Sequence, residues 1–250
     1  MRPRVIPVLL VEDGGLVKTI NFKRRIYLGD PINTVRLFND MQVDELIVLD
    51  ISASKDNKGP NYSLIEDIRN EAFMPLVYGG GIKSVEDSIE LIRIGVEKIA
   101  INSFLQNNIS VLTEISKRVG SQSIIASIDI SKNILGKHFI YSHAKNKNLS
   151  LNIQEYLKKI QEAGIGEIFL NFTYKDGVWG GYDFDFIKDL SPSIDVPLVV
   201  CGGASNLVDL KKIIDMGADA AAAGSLFSFA KKNSGVLINY PSQRELDSLF

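Results

Sequence analysis

Short apolar runs alternate with longer amphipathic stretches from one end of the chain to the other. The runs are Val5–Leu10, Leu46–Leu49, Pro75–Tyr78, Lys98–Ile101, Ile124–Asp129, Ile168–Asn171, Pro197–Cys201 and Ala218–Ala222. Most are uniformly apolar, the pattern of parallel strands buried on both faces. The stretches between them read as helices. SVEDSIELIRIG puts Ser84 at an N-cap, Asp87 three residues on and Gly95 at the stop, predicting a helix over Ser84–Ile94. SNLVDLKKIIDMG predicts another over Ser205–Met216, ended in the same way by Gly217. Eight strands, each followed by a helix, demand a parallel sheet. The expected fold is therefore α/β, one (β/α)8 TIM barrel spanning residues 1–250 as a single domain.

The pattern also repeats. PLVYGGGIKSVEDSIELIRIGVEKIAINSF, from Pro75, aligns with PLVVCGGASNLVDLKKIIDMGADAAAAGSLF, from Pro197, at an offset of 122 residues. The same offset aligns DELIVLD with GEIFLNF. A half-chain repeat predicts two half-barrels related by a pseudo-two-fold axis. Chemistry repeats with it. Gly80 and Gly81 end the third strand as Gly202 and Gly203 end the seventh; Asn102-Ser103 and Gly224-Ser225 follow the fourth and eighth. Glycines let backbone N–H groups approach an anion, and helix N-termini favour negative charge. Two copies predict a phosphorylated small molecule with a phosphate at each end; tight turns alone are the plainer alternative.

Composition narrows the picture by exclusion. The chain is 45% hydrophobic and 23% charged, with net charge −2 and a pI near 5.8, which leaves no basic footprint for nucleic acid. Lys23-Arg24-Arg25 is too short to change this and reads as a solvated loop. Cys201 is the only cysteine, so no internal disulfide forms and a reducing compartment fits. The opening MRPRVIPVLLVEDGG is too short an apolar stretch, and too soon acidic, for a signal peptide or membrane span, so a cytoplasmic location is expected. His138 and His143 lie in a hairpin after the fifth strand without a metal-ligand partner nearby in sequence; they read as surface residues, and no metal or cofactor is expected.

The segments RVIPVLLVEDGGLVKTINF, GDPI, DELIVLDISAS, YGGGIKSVEDS, AINS, ASIDI, GEIFLNF, KDGVWGGYD, CGGASN and AAAGSLF resemble the HisF family along nearly the whole chain. HisF is the cyclase subunit of imidazole glycerol phosphate synthase. The resemblance implies a barrel paired at its bottom face with a HisH-like glutaminase. Ammonia released there would cross the lumen to a two-phosphate phosphoribulosyl formimino intermediate at the top.

It further implies a two-carboxylate enzyme. The aspartate of the fifth strand matches Asp129, in ASIDI, but the aspartate of the first strand falls on Leu10. Leucine cannot titrate, so half of the acid–base pair is missing. Glu12 shares the strand face with Leu10 but would lie about 7 Å further up. A misplacement of about 1 Å can already cost roughly a hundredfold. The stretch after the sixth strand reads Tyr174-Lys175-Asp176-Gly177-Val178, keeping Asp176 and losing a hydroxyl; the loop after the fifth-strand hairpin, usually Gly-rich with an arginine, reads His143-Ala144-Lys145-Asn146-Lys147-Asn148. Lys18 matches the lysine of the family's mobile first loop.

Arg4, Glu45, Lys98 and Glu167 match the family's charged ring at the mouth of the ammonia channel; a stabilising salt-bridge network is the plainer reading. The opening VLLVEDGGLVKTINF and the stretch SLFSFAKKNSGVLINYPS resemble HisF-like paralogues of acetamidino-sugar modification in surface polysaccharide synthesis. There the ammonia would serve an ATP-dependent sugar amidotransferase. A true cyclase of histidine biosynthesis, a sugar isomerase on the same half-barrel repeat and a non-catalytic scaffold are the alternatives.

Overall fold

The computed structural model describes residues 2–54, 56, 58–106 and 108–250. Its elements run β1 (Arg4–Glu12), β2 (Gly15–Ile20), β3 (Arg24–Gly29), α1 (Pro31–Asp40), β4 (Leu46–Asp50), α2 (Tyr62–Glu71), β5 (Leu76–Gly79), α3 (Val85–Ile94), β6 (Lys98–Ile101) and α4 (Val111–Val119). There follow β7 (Ile124–Lys132), β8 (His138–Ser142), β9 (Lys147–Asn148), α5 (Ile153–Glu162), β10 (Glu167–Phe172) and α6 (Phe184–Leu190). The chain closes with β11 (Leu198–Cys201), α7 (Leu207–Asp215), β12 (Ala220–Ala223), α8 (Ser225–Ser228) and α9 (Gln243–Leu249). Hydrogen bonding passes from β1 through β4, β5, β6, β7, β10, β11 and β12 and back to β1, every step parallel. This is a closed eight-stranded (β/α)8 TIM barrel. No helix among the described residues is long and apolar enough to cross a membrane.

Strand alternation divides the core in two. Ile6, Val8, Leu10, Ile47, Val77 and Phe169 point into the lumen, while Val5, Leu9, Leu46, Val48 and Leu76 pack outward under the helices. Each stave is thus buried on both faces, which is why the runs read as uniformly apolar. The helix signals also translate into geometry. Ser84 and Asp87 form a reciprocal capping box on α3, and Gly95 ends it at φ 104°. In α7 the cap is Asn206, whose side chain accepts from Asp209 N–H, so the helix begins later than Ser205; Ser205 instead donates to Asp209 Oδ2.

The Lys23–Arg25 segment is a correction. Instead of a loop, the chain after β1 turns back as an antiparallel hairpin, β2 on β1 and β3 on β2, so Arg24 and Arg25 open an exposed strand. A second hairpin, β7–β8, extends the fifth stave beyond the barrel rim and carries β9 on its edge.

Candidate functional site

At the N-terminal ends of the staves the four expected charges form a closed ring. Arg4 bonds to both Glu45 and Glu167, and Lys98 Nζ lies 3.0 Å from Glu45 Oε1 and 2.9 Å from Glu167 Oε2. Glu45 and Glu167 are related by the 122-residue offset of the internal repeat. Both carboxylates are buried, with the two cations on their solvent side. Burial alone would weaken the Arg4 charge; the hydrogen bonds it donates to Glu167 and Glu45, with their negative charges, outweigh it and raise its pKa. Two positive and two negative groups cancel at the lower end of a lumen whose wall above is apolar. A small neutral solute meets little electrostatic barrier there, whereas an ion entering the apolar stretch loses its hydration.

The upper mouth is built differently. Asp129, on the inner face of β7, is 6% exposed and accepts from Asn102 Nδ2 (2.8 Å) and Asn171 Nδ2 (3.3 Å). Burial raises its pKa; His143 and the two amides pull the other way without winning. Leu10 stands in the apolar layer of the mouth, between Val17 and Leu49 on the neighbouring strands. Glu12 does share its face, since β1 runs that far, but its carboxylate is engaged by Arg25 Nε at 2.6 Å.

Lys18 is not solvated. It sits on β2, 6% exposed, with Nζ 2.7 Å from Asp176 Oδ1. Asp176 also accepts from Thr19 Oγ1 (2.5 Å) and Phe22 N–H (3.3 Å), and its carbonyl accepts from Asn21 N–H (2.9 Å). One carboxylate therefore gathers three donors of the β2–β3 hairpin and folds it across the mouth. Phe22, beyond it, stacks on His143 with ring centroids 4.8 Å apart.

The two glycine pairs lie where the repeat puts them, directly after β5 and β11. Their φ angles (127° and 71° for Gly80 and Gly81, 99° and 110° for Gly202 and Gly203) are in the left-handed region. A Cβ would fall 2.4 Å from Asp50 O at Gly80 and 2.3 Å from Gly181 O at Gly203. Their surroundings differ. Gly202, Gly203, Gly224 and Ser225 line one cavity with Lys18 and Asp176. In the other half, Gly81 N–H donates to Ser54 Oγ at 3.3 Å, and Asn102 turns to Asp129 and accepts from Gln106. Gly224, the repeat partner of Asn102, has no side chain, and the Lys18 ammonium uses that space: a Cβ there would meet Nζ at 2.8 Å.

The family model described as histidine biosynthesis protein matches residues 4–233. Over 99% of both chains, the sequence is 44% identical to a Pseudomonas aeruginosa protein provisionally named imidazole glycerol phosphate synthase subunit hisF2. It is 45% identical to a Vibrio vulnificus protein provisionally named subunit hisF3, over 98% of this chain and 95% of that one. Identity to the imidazole glycerol phosphate synthase subunit HisF of Petrotoga mobilis is 34%, over 90% of each.

The chain belongs to the HisF family. Within this HisF-family barrel, the ring Arg4–Glu45–Lys98–Glu167 is brought together at one end and Asp129, Lys18 and Asp176 at the other. His138, read as a surface residue, is half-buried: Nε2 lies 3.0 Å from Asp183 Oδ2 and 3.2 Å from Tyr174 OH, and its ring packs on Phe186. Only His143 is exposed. Sequence reasoning missed Asn171 and Arg25. Inward parity from Glu167 through Phe169 marks Asn171, whereas Arg25 reaches Glu12 only because the first loop is a hairpin.

Proposed function

We propose that this HisF-family barrel is the ammonia-conducting subunit of a cytoplasmic glutamine amidotransferase assembly. A HisH-like glutaminase docks at the bottom face and releases ammonia at the Arg4–Glu45–Lys98–Glu167 ring. The neutral molecule crosses the apolar lumen and leaves at the top for an ATP-dependent sugar amidotransferase, which converts an acetamido into an acetamidino group on a nucleotide sugar. One arrangement supports the reading: the mouth position that the resemblance gives to a proton-transfer carboxylate falls on the apolar Leu10, and Glu12, on the same face, is held by Arg25. Loss of a positioned acid or base typically costs about 10²–10⁴ in rate, whereas conduction needs only the ring and the lumen. The cavity at Gly202, Gly203, Gly224 and Ser225 suits a phosphate, with Lys18 as its cation once Asp176 lets go.

The second reading, a true cyclase of histidine biosynthesis, draws on Asp129, whose raised pKa is what a general acid requires. The two separate in a labelling experiment. Barrel, glutaminase and sugar amidotransferase are supplied with ¹⁵N-amide glutamine in a large excess of unlabelled ammonium. Conduction predicts an amidino nitrogen that is mostly ¹⁵N. A product labelled only at the bulk ratio removes the conduit.

A further inference from the structure

Beyond the rim, β7 and β8 form a two-stranded arm whose last pair is Lys132↔His138. Its tip is apolar and fully offered to solvent: Ile134 is 102% exposed and Leu135 87%. Soluble proteins tolerate scattered apolar residues, but two adjacent large ones at the end of a projecting turn are placed to enter something. The turn is also rigid. Asn133 Oδ1 accepts from Leu135 N–H (3.0 Å) and Lys137 N–H (2.9 Å), and Asn133 O accepts from Gly136 N–H (3.0 Å). A preformed apolar tip loses little conformational entropy on docking.

The exposed charge of the arm is cationic: Lys137 flanks the tip and Lys145 and Lys147 stand at the β8–β9 turn on the mouth side, whereas Lys132 is paired with Asp183 at 2.9 Å. No aspartate or glutamate occurs between Asp129 and Glu155, a stretch that holds Lys132, Lys137, Lys145 and Lys147, in a chain of net charge −2. The Phe22–His143 stack joins this arm to the first hairpin, where Lys23 and Arg24 are exposed. The arm also shares its strand with the mouth. Lys132 lies three residues beyond Asp129, about 10 Å along β7.

We infer that the β7–β8 arm is the docking element for the enzyme that receives the ammonia, a protein whose entrance carries an acidic rim around an apolar pocket for Ile134 and Leu135. This rests on the conduit reading. Ammonia released into bulk water at neutral pH is protonated and diluted, so the acceptor must cover the mouth, and this cationic arm stands beside it. An anionic membrane would match the same charge, but it would leave the mouth facing lipid rather than an acceptor.

The test uses the full-length barrel with glutaminase and the ATP-dependent sugar amidotransferase, comparing wild type with Ile134→Asp/Leu135→Asp and with Lys145→Glu/Lys147→Glu. Both sets are exposed, so circular dichroism and Tm are expected to match wild type. The expected result is at least a tenfold loss of glutamine-driven amidination, while amidination driven by added ammonium and the glutaminase turnover stay unchanged. If wild type couples to glutamine and both variants couple equally well, the docking surface is wrong and the conduit stands. If wild type itself gives no glutamine-driven product, the conduit reading falls and this inference with it. Cosedimentation with vesicles of 30% phosphatidylglycerol in phosphatidylcholine, abolished by Ile134→Asp/Leu135→Asp while glutamine-driven amidination is unaffected, assigns the arm to a membrane and overturns the inference.

Discussion

The two ends of the barrel handle their charges in opposite ways. At the bottom, each buried carboxylate lies between two cations, and Arg4 and Lys98 each touch both carboxylates. At the top, Asp129 accepts from the neutral amides of Asn102 and Asn171, while Lys18, which lines the cavity with Gly202, Gly203 and Gly224, is paired with Asp176. The consequence is chemical. The bottom ring holds fixed opposing charges, which suits a gate, whereas the top holds one carboxylate biased toward its protonated form, across the barrel from Leu10. The two ends of this HisF-family barrel therefore differ in kind: one is a ring of paired charges, the other a single carboxylate held by amides.

Breaking the ring should have the largest effect. Glu167→Gln leaves Arg4 and Lys98 sharing one carboxylate; removing one partner of a buried ion pair costs about 3 kcal/mol. For a chain of this size that is a fall in Tm of roughly 6–12 °C, readable by calorimetry. A Tm within about 1 °C of wild type would mean that the ring is loose and solvent-screened. Next comes Asp176→Ala. It deprives Lys18, Thr19 and Phe22 of their shared acceptor, a loss of about 2 kcal/mol confined to the hairpin. Hydrogen exchange is expected to show roughly 30-fold weaker protection in β2 and β3 with the staves unchanged; uniform loss across the barrel would contradict a local latch.

A smaller effect depends on pH. Because the pKa of Asp129 is raised in the folded chain, the unfolded chain loses that proton first as pH rises, and stability falls over that interval. Asp129→Asn lacks this loss. Its Tm should therefore exceed that of wild type most at alkaline pH, with the gap narrowing as pH drops toward about 3.9, the ordinary aspartate value. A gap independent of pH would mean that Asp129 has an ordinary pKa. The smallest effect belongs to Glu12→Gln. Its partner Arg25 is 41% exposed and the pair is reached by solvent, so urea unfolding should register less than about 1 kcal/mol.

Much of this was legible in residues. Uniformly apolar runs placed all eight staves with their ends off by at most three residues, because a strand buried on both faces leaves no room for polar positions. The β2–β3 hairpin was harder. Asp13-Gly14, both at positive φ, is a hairpin-turn signal that could have revealed the first reversal. The second passes through Asn21 and Phe22 at φ 50° and 58°, and nothing in a phenylalanine foretells a left-handed backbone. Hidden with it were the burial of Lys18 and the capture of Glu12 by Arg25, contacts that exist only once the hairpin has closed. The asymmetry of the two glycine cradles was also invisible, since the repeat aligns Asn102 with Gly224 without saying where either points.

The most direct measurement is cyclase turnover by the purified barrel with ammonium and the phosphoribulosyl formimino substrate, alongside Leu10→Asp. The account predicts no imidazole glycerol phosphate above background from wild type, with activity gained or still absent in Leu10→Asp. Turnover by wild type at ordinary enzyme rates would contradict it and make Glu12 the missing carboxylate.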